Sequence, residues 1–273
     1  MAAAGVLRAP STSALGVLSF LEEPDDALKH RALQNIYKIV DLHWAEICDH
    51  LATIEELSED ASFVGADLAA AVASKCFYYL QEQDDALRLG LCAGKYFDLN
   101  ERSEYVECLL ARCIDGWSSQ CHQKEQDSSV EIDPKMVQIM EQLFKRCYAD
   151  RCFEQAMGIA LDAHRLDKVE EVCRAALAAS AADGADSNIL AYTFEVCLGA
   201  RNIVSREFRL ATISILVNMC STALAAPDYP TMCFGYQLLN KPQEFADILV
   251  TLLRGSAEDA LLAYQIAFDL QET

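Results

Sequence analysis

The chain has 273 residues, enough for one large domain or two modest ones around a substantial core. Eleven glycines, six prolines and 52% hydrophobic residues exclude collagen-like and disordered classes, and they disfavour an all-β or glycine-punctuated α/β chain. With 22 basic against 42 acidic residues the formal net charge is −20, and the dispersed basic residues offer no patch for phosphate backbones or anionic membranes.

In chain order, residues 1–12 read as a flexible tail. Met1–Gly16 carries Arg8, serines and no acid, which leaves an organelle transit peptide as the minority reading. The apolar stretch Ser13–Leu21 is short and runs into Glu22, Glu23, Pro24 and Asp25, where an export signal would need small residues. A long helix is predicted from about Asp25 to Ile54, because Leu33, Ile36, Tyr37, Val40, Trp44 and Ile47 recur at steps of three and four. Residues 13–122 are expected to form a first set of helical hairpins. Gln123–Asp133 reads as a polar linker, and 134–273 as a second set of hairpins. Asp133 before Pro134 marks a helix start, with Met136, Met140, Leu143, Phe144, Cys147 and Tyr148 on one face. Ala181–Ser187 reads as a loop. Further helices are predicted near Asn188–Leu198, Arg206–Leu224, Tyr229–Leu239, Pro242–Arg254 and Ala257–Leu270. The uncharged run Leu210–Pro227 contains Thr212, Ser214 and Asn218, so it reads as a buried helix and not a membrane span.

An internal repeat organises these helices. Ala86, Leu89, Leu91, Ala93 and Lys95 align with Ala156, Ile159, Leu161, Ala163 and Arg165, and Tyr78 aligns with Tyr148 at the same spacing of 70 residues, twice a helix-hairpin unit. The alanines seven apart would let the second helix of a hairpin approach the first closely. The alternation at 87, 89 and 91 could mimic a strand, but the flanking alanines argue against it. The expected fold is all-α, an α-solenoid of stacked antiparallel helix hairpins, a tetratricopeptide-like rod.

Catalytic signatures are missing: there is no glycine-rich phosphate loop, no G-x-S-x-G and no H-E-x-x-H. Cys108 and Cys113, like Cys147 and Cys152, are five apart and would point some 140° apart on a helix at roughly 100° per residue. His43, Cys48 and His50 read as an ordinary packed or exposed helix before a metal site. Cys121–His122 could be a reactive pair, with a surface thiol as the simpler reading. Twelve cysteines spread through helices suit free thiols in a reducing compartment. Acidic pairs sit where helices should start and turn; the turn Glu55, Glu56, Glu59 and Asp60 is the candidate acidic contact surface. The last helix carries Leu261, Tyr264 and Phe268 as an apolar stripe at steps of three and four, uncapped, so a further helix is expected to pack there.

Several stretches resemble the N-terminal region of the family of large non-ATPase scaffolds of the proteasome regulatory particle. They are Val72–Leu80 (VASKCFYYL), Ser103–Asp115 (SEYVECLLARCID), Gln155–Leu161 (QAMGIAL) with His164–Asp167, Trp44–Ile47 and Leu262–Leu270. The likeness runs in order along Leu15–Leu270, and departs most at Glu125–Asp133 and Ala176–Ser187, both read as loops. It implies a non-catalytic scaffold of the base, in cytoplasm and nucleus, supporting ATP-dependent degradation of ubiquitinated proteins. Expected partners are other regulatory-particle subunits of lid and base. No cofactor, metal, nucleic acid, membrane or small-molecule substrate is expected. The alternative is an independent tetratricopeptide-like adaptor whose acidic groove binds basic peptides.

Overall fold

The computed structural model describes residues 13–183, 188–199, 205–222 and 227–272. The N-terminal tail read over 1–12 and the end of the loop read over Ala181–Ser187 lie outside those residues. Among the described residues the chain is helical throughout, with no strand. The helices are α1 (Leu15–Leu18), α2 (Asp26–Cys48), α3 (Leu51–Glu59), α4 (Ala66–Tyr79), α5 (Gln83–Gly90), α6 (Glu104–Gln126) and α7 (Pro134–Ala149). They continue with α8 (Phe153–Asp162), α9 (Leu166–Asp183), α10 (Ile189–Gly199), α11 (Arg206–Thr222), α12 (Tyr229–Leu238), α13 (Pro242–Leu253) and α14 (Ala257–Glu272). The expected all-α, solenoid-like class is what the structure shows.

Two compact units divide within α6. One comprises 1–116 with 133–138, the other 117–132 with 139–273. In the first, α2, α3 and α5 all pack on α4. That demands a helix apolar on every side, and every residue from Leu68 to Phe77 is buried. Leu33, Ile36, Val40 and Ile47 of α2 complete this core, all fully buried. In the second unit, α8 packs on α9, α11 packs on both α9 and α10, and α12, α13 and α14 follow, each on its predecessor. The face read from the sequence for α7 is inward: Met140, Leu143, Phe144 and Cys147 are buried. Its start is capped as expected, since the Lys135 amide donates to Asp133 Oδ1 at 2.8 Å.

The repeat is real at the level of backbone geometry. Gln81 and Arg151, 70 residues apart, both sit in the left-handed region (φ 65° and 61°). The following amides, of Glu82 and Cys152, donate back to the carbonyls of Phe77 (2.9 Å) and Cys147 (2.8 Å). This six-to-one bond closes the last turn of a helix and aims the chain into the next. Ala86, Ala93, Ala156 and Ala163 are all buried, so the small residues face their partners as the spacing requires. The same turn recurs at His164, whose counterpart 70 residues earlier, Gly94, is also left-handed (φ 54°), and at Asn240, with Arg165 bonded to Ala160 (3.0 Å) and Lys241 to Tyr236 (2.9 Å).

Four expectations need correction. The helix read from Asp25 to Ile54 is two helices broken at Asp49–His50, with a kink at His43 (φ −121°, ψ 24°). Ile47 and Ile54, seven apart, remain in phase across the break, so periodicity passes over it. Residues 123–126 of the linker are the last turn of α6, and 181–183 of the loop belong to α9. Ala176–Asp183, read as loop where the family likeness fades, is alanine-rich helix, as propensity alone favours.

Candidate interaction surfaces

The acidic residues singled out in the first unit are not in a turn but on α3 and its C-terminal cap. Negative charge there opposes the helix dipole, and a cation from a neighbouring helix offsets it. Arg88 of α5 reaches Glu55 at 2.9 Å and Glu59 at 3.9 Å while also pairing Asp85 at 3.2 Å. Asp60 accepts from the amide and hydroxyl of Ser62 (2.8 and 2.6 Å), and those bonds hold its carboxyl below the usual range. Glu56 projects from the same helix as an exposed residue. Glu55, Glu59 and Asp60 are thus already engaged within the unit.

At the other end of the chain α14 is apolar on two faces. Ala263 and Ile266 are buried in a cluster with Cys233 of α12 and Leu252 of α13. Leu261, Tyr264 and Phe268 point away from it and are 69%, 57% and 68% exposed. Val250 and Leu253 of α13 and Phe234 of α12 add further exposed apolar surface in the same unit. A run of large exposed side chains at helical spacing is what a protein contact needs and a solvated face does not.

A pocket of about 550 Å³ lies in the second unit between the end of α6, the α8–α9 turn and the start of α11. The turn residue His164 stacks on Phe208 (4.6 Å), meets His122 edge-on (4.4 Å) and places Nδ1 3.0 Å from Glu125 Oε2. Arg165 forms two bonds to Asp167 (2.8 and 2.6 Å) and lies 5.6 Å from the centre of the Trp117 ring. Cys121 is buried here, not at the surface as its neighbouring polar segment suggested. Burial pushes its thiol up, against the neighbouring Arg165 guanidinium, which lowers it. Cys108 and Cys113, and Cys147 and Cys152, are free thiols, and among the described residues no three His, Cys, Asp or Glu side chains converge as metal ligands. His43 is 3.7 Å from Glu46, and His50 occupies the N-cap position of α3 without a side-chain capping bond.

Sequence reasoning missed two buried lysines. Lys75, within the apolar run of α4, pairs Asp41 (3.1 Å) and lies over the rings of Tyr37 and Tyr105 at 5.1 and 5.7 Å. Lys168 pairs Glu141 (2.7 Å) and Glu171 (2.8 Å) over Phe144 (5.2 Å). A charge flanked by Ala73, Ser74, Cys76 and Phe77 was the available signal for the first.

Comparison with known proteins places this geometry. Residues 12–273 match the family described as the N-terminal domain of 26S proteasome subunit RPN2. The chain is 41% identical over 266 residues to the 26S proteasome non-ATPase regulatory subunit 1 homolog B of Arabidopsis thaliana, covering 95% of this chain and 25% of that protein. It is 39% identical to the 26S proteasome non-ATPase regulatory subunit 1 of Drosophila melanogaster (96% and 25% covered). Against the 26S proteasome regulatory subunit RPN2 of Saccharomyces cerevisiae it is 31% identical (95% and 27%). The chain spans about a quarter of the length of these relatives.

Proposed function

The chain belongs to the family of the RPN2 N-terminal domain, and from that premise we propose that it serves as a non-catalytic scaffold segment of the proteasome regulatory particle. The observation that carries the proposal is a family match along nearly the whole chain, at 31–41% identity to relatives named as proteasome regulatory subunits. Its work is protein contact in support of ATP-dependent degradation of ubiquitinated proteins, with lid and base subunits as partners, in cytoplasm and nucleus. The relatives' designation as non-ATPase subunits supports a role without catalysis. Buried thiols and exposed apolar helix faces fit that role better than a reaction site.

Two surfaces are assigned to contact: the stripe Leu261, Tyr264 and Phe268, and the acidic helix end Glu55, Glu56, Glu59 and Asp60. Because Arg88 already neutralises part of the second, the stripe is the stronger of the two. The same pairing weakens the alternative of an adaptor that holds basic peptides by charge.

The test is to tag the N-terminus at the native locus and sediment a lysate through a glycerol gradient, with microscopy of the same tag. Co-migration with ATP-dependent peptidase activity, and tag signal in both cytoplasm and nucleus, are expected. A tagged protein that sediments alone and releases basic peptides steeply as salt rises would overturn the scaffold reading in favour of the adaptor.

A further inference from the structure

Cys92 lies in the turn after α5 and is half-buried, and Lys135 sits exposed in the first turn of α7. Both belong to the first compact unit. The Lys135 ammonium donates from Nζ to Cys92 Sγ at 3.1 Å, although the two are 43 positions apart in the chain. The backbone holds both ends of this contact. The Cys92 amide donates to the Leu89 carbonyl (2.9 Å), and the Lys135 amide donates to Asp133 Oδ1 (2.8 Å). A thiol and an amine in contact, both reached by water, are the two halves of an oxidative cross-link. Sulfur is the oxidisable atom, and nitrogen is the nucleophile that traps it once oxidised. Peroxide is attacked by the thiolate, for which an ammonium bonded to the sulfur is the counter-ion. Two other thiols beside polar groups differ. Cys121 is buried next to the Arg165 guanidinium, which stays charged and is no nucleophile. Cys152 is directed to the Asp150 carbonyl oxygen (3.6 Å), which cannot trap an oxidised sulfur.

We propose that Cys92 and Lys135 are a peroxide-sensitive pair that closes to a sulfenamide, an S–N bond tying the turn after α5 to the start of α7. Cys92, as thiolate, attacks one oxygen of hydrogen peroxide. The O–O bond breaks, the departing hydroxide takes a proton to leave as water, and Cys92 becomes a sulfenic acid. Lys135 gives up a proton, and the lone pair of its free amine attacks the Cys92 sulfur. The S–N bond forms as the S–O bond breaks, and the hydroxyl leaves with a proton as a second water. The nitrogen keeps one hydrogen and ends neutral. Sulfur gives up two electrons, and one peroxide is reduced to two waters. The product has lost both the thiol and the lysine charge, and a thiol reductant returns both.

The experiment treats the reduced full chain with hydrogen peroxide, blocks free thiols with N-ethylmaleimide and maps a non-reducing tryptic digest by mass spectrometry. A linked peptide pair carrying Cys92 and Lys135 should appear at the summed mass less two hydrogens. Alkylation of Cys92 and cleavage after Lys135 should fall together, and dithiothreitol should restore both. In Lys135→Met the link should vanish, and dimedone should capture the sulfenic acid at Cys92. Should that variant misfold, the wild-type map decides alone. A sulfinic acid or a disulfide at Cys92, with Lys135 still cleaved, would overturn the proposal. So would a link from Cys92 to a different amine, or no change at Cys92. A Cys92–Lys135 link heavier by one oxygen would mark an N–O–S bridge and overturn the S–N chemistry.

Discussion

At the scale of single residues, the least expected feature is a buried lysine in each unit. Lys168 has 7% of its side chain exposed, while its partners Glu141 and Glu171 are 44% and 47% exposed. Burial pulls its pKa down, but the bonds it donates to the two carboxylates, and their charge, more than offset that and hold it above 10.5. A pKa raised on folding means the contribution is complete below 10.5 and is lost as pH climbs through the folded value. Lys168→Met keeps the stem over Phe144 and lets both glutamates rehydrate, so urea denaturation at neutral pH should show a loss of only about 1 kcal/mol. Lys168→Ala also empties the space over the ring and should cost about 2–3 kcal/mol. The wild-type advantage over Lys168→Met should shrink above pH 10.5; an unchanged gap would show that the charge contributes nothing. A second residue is fixed by space alone. A Cβ on Gly235 of α12 would clash with Val217 Cγ2 of α11. Gly235→Ala should destabilise by about 1–3 kcal/mol, and adding Val217→Ala should recover much of that. Thermal unfolding of the single and double variants checks it, and additive losses would mean the clash is not the cause.

At the scale of elements, the repeated turn sets where one helix ends and the next begins. It places residues other than glycine in the left-handed region at Gln81, Arg151, His164 and Asn240. For Gln81 and Arg151 that conformation is strained, by about 1 kcal/mol, whereas asparagine tolerates it. Gln81→Gly and Arg151→Gly should therefore each stabilise the chain by about 0.5–1 kcal/mol, and Asn240→Gly should do much less. Denaturant midpoints settle the order; equal effects at all three sites would sink the strain argument. These turns also show why some elements were legible and others not. α7 was readable because Asp133, Pro134 and a clean apolar face coincide, and α10 to α14 because charged and proline residues bracket apolar runs. The break at Asp49–His50 was not, since apolar periodicity continues across it. The break between α12 and α13 was read from Leu239 and Pro242, but not that its turn at Asn240 repeats the one at Gln81 and Arg151, because the geometry recurs while the side chains do not.

At the scale of the whole molecule, composition alone carries the all-α class, and motif likeness carries the family. Neither could reveal that Arg88 reaches back from α5 to Glu55 and Glu59, because that pairing depends on α3 and α5 both packing on α4. Candidate contact residues therefore divide by what the fold does with them. Charges on α3 are drawn into the molecule's own pairing, whereas Leu261, Tyr264 and Phe268 are left in solvent on a helix whose opposite face is already buried. Exposed apolar area of that kind promotes self-association at a net charge that otherwise keeps chains apart. Replacing the three with Ser, Gln and Ser removes that area without touching Ala263 or Ile266. The isolated chain should stay soluble to higher concentration and keep its thermal midpoint, read by turbidity and circular dichroism. The same variant should lose its place with the proteasome on a glycerol gradient. A lower thermal midpoint would instead mean that the stripe supports the chain's own fold, and undiminished co-sedimentation would move the contact elsewhere on the molecule.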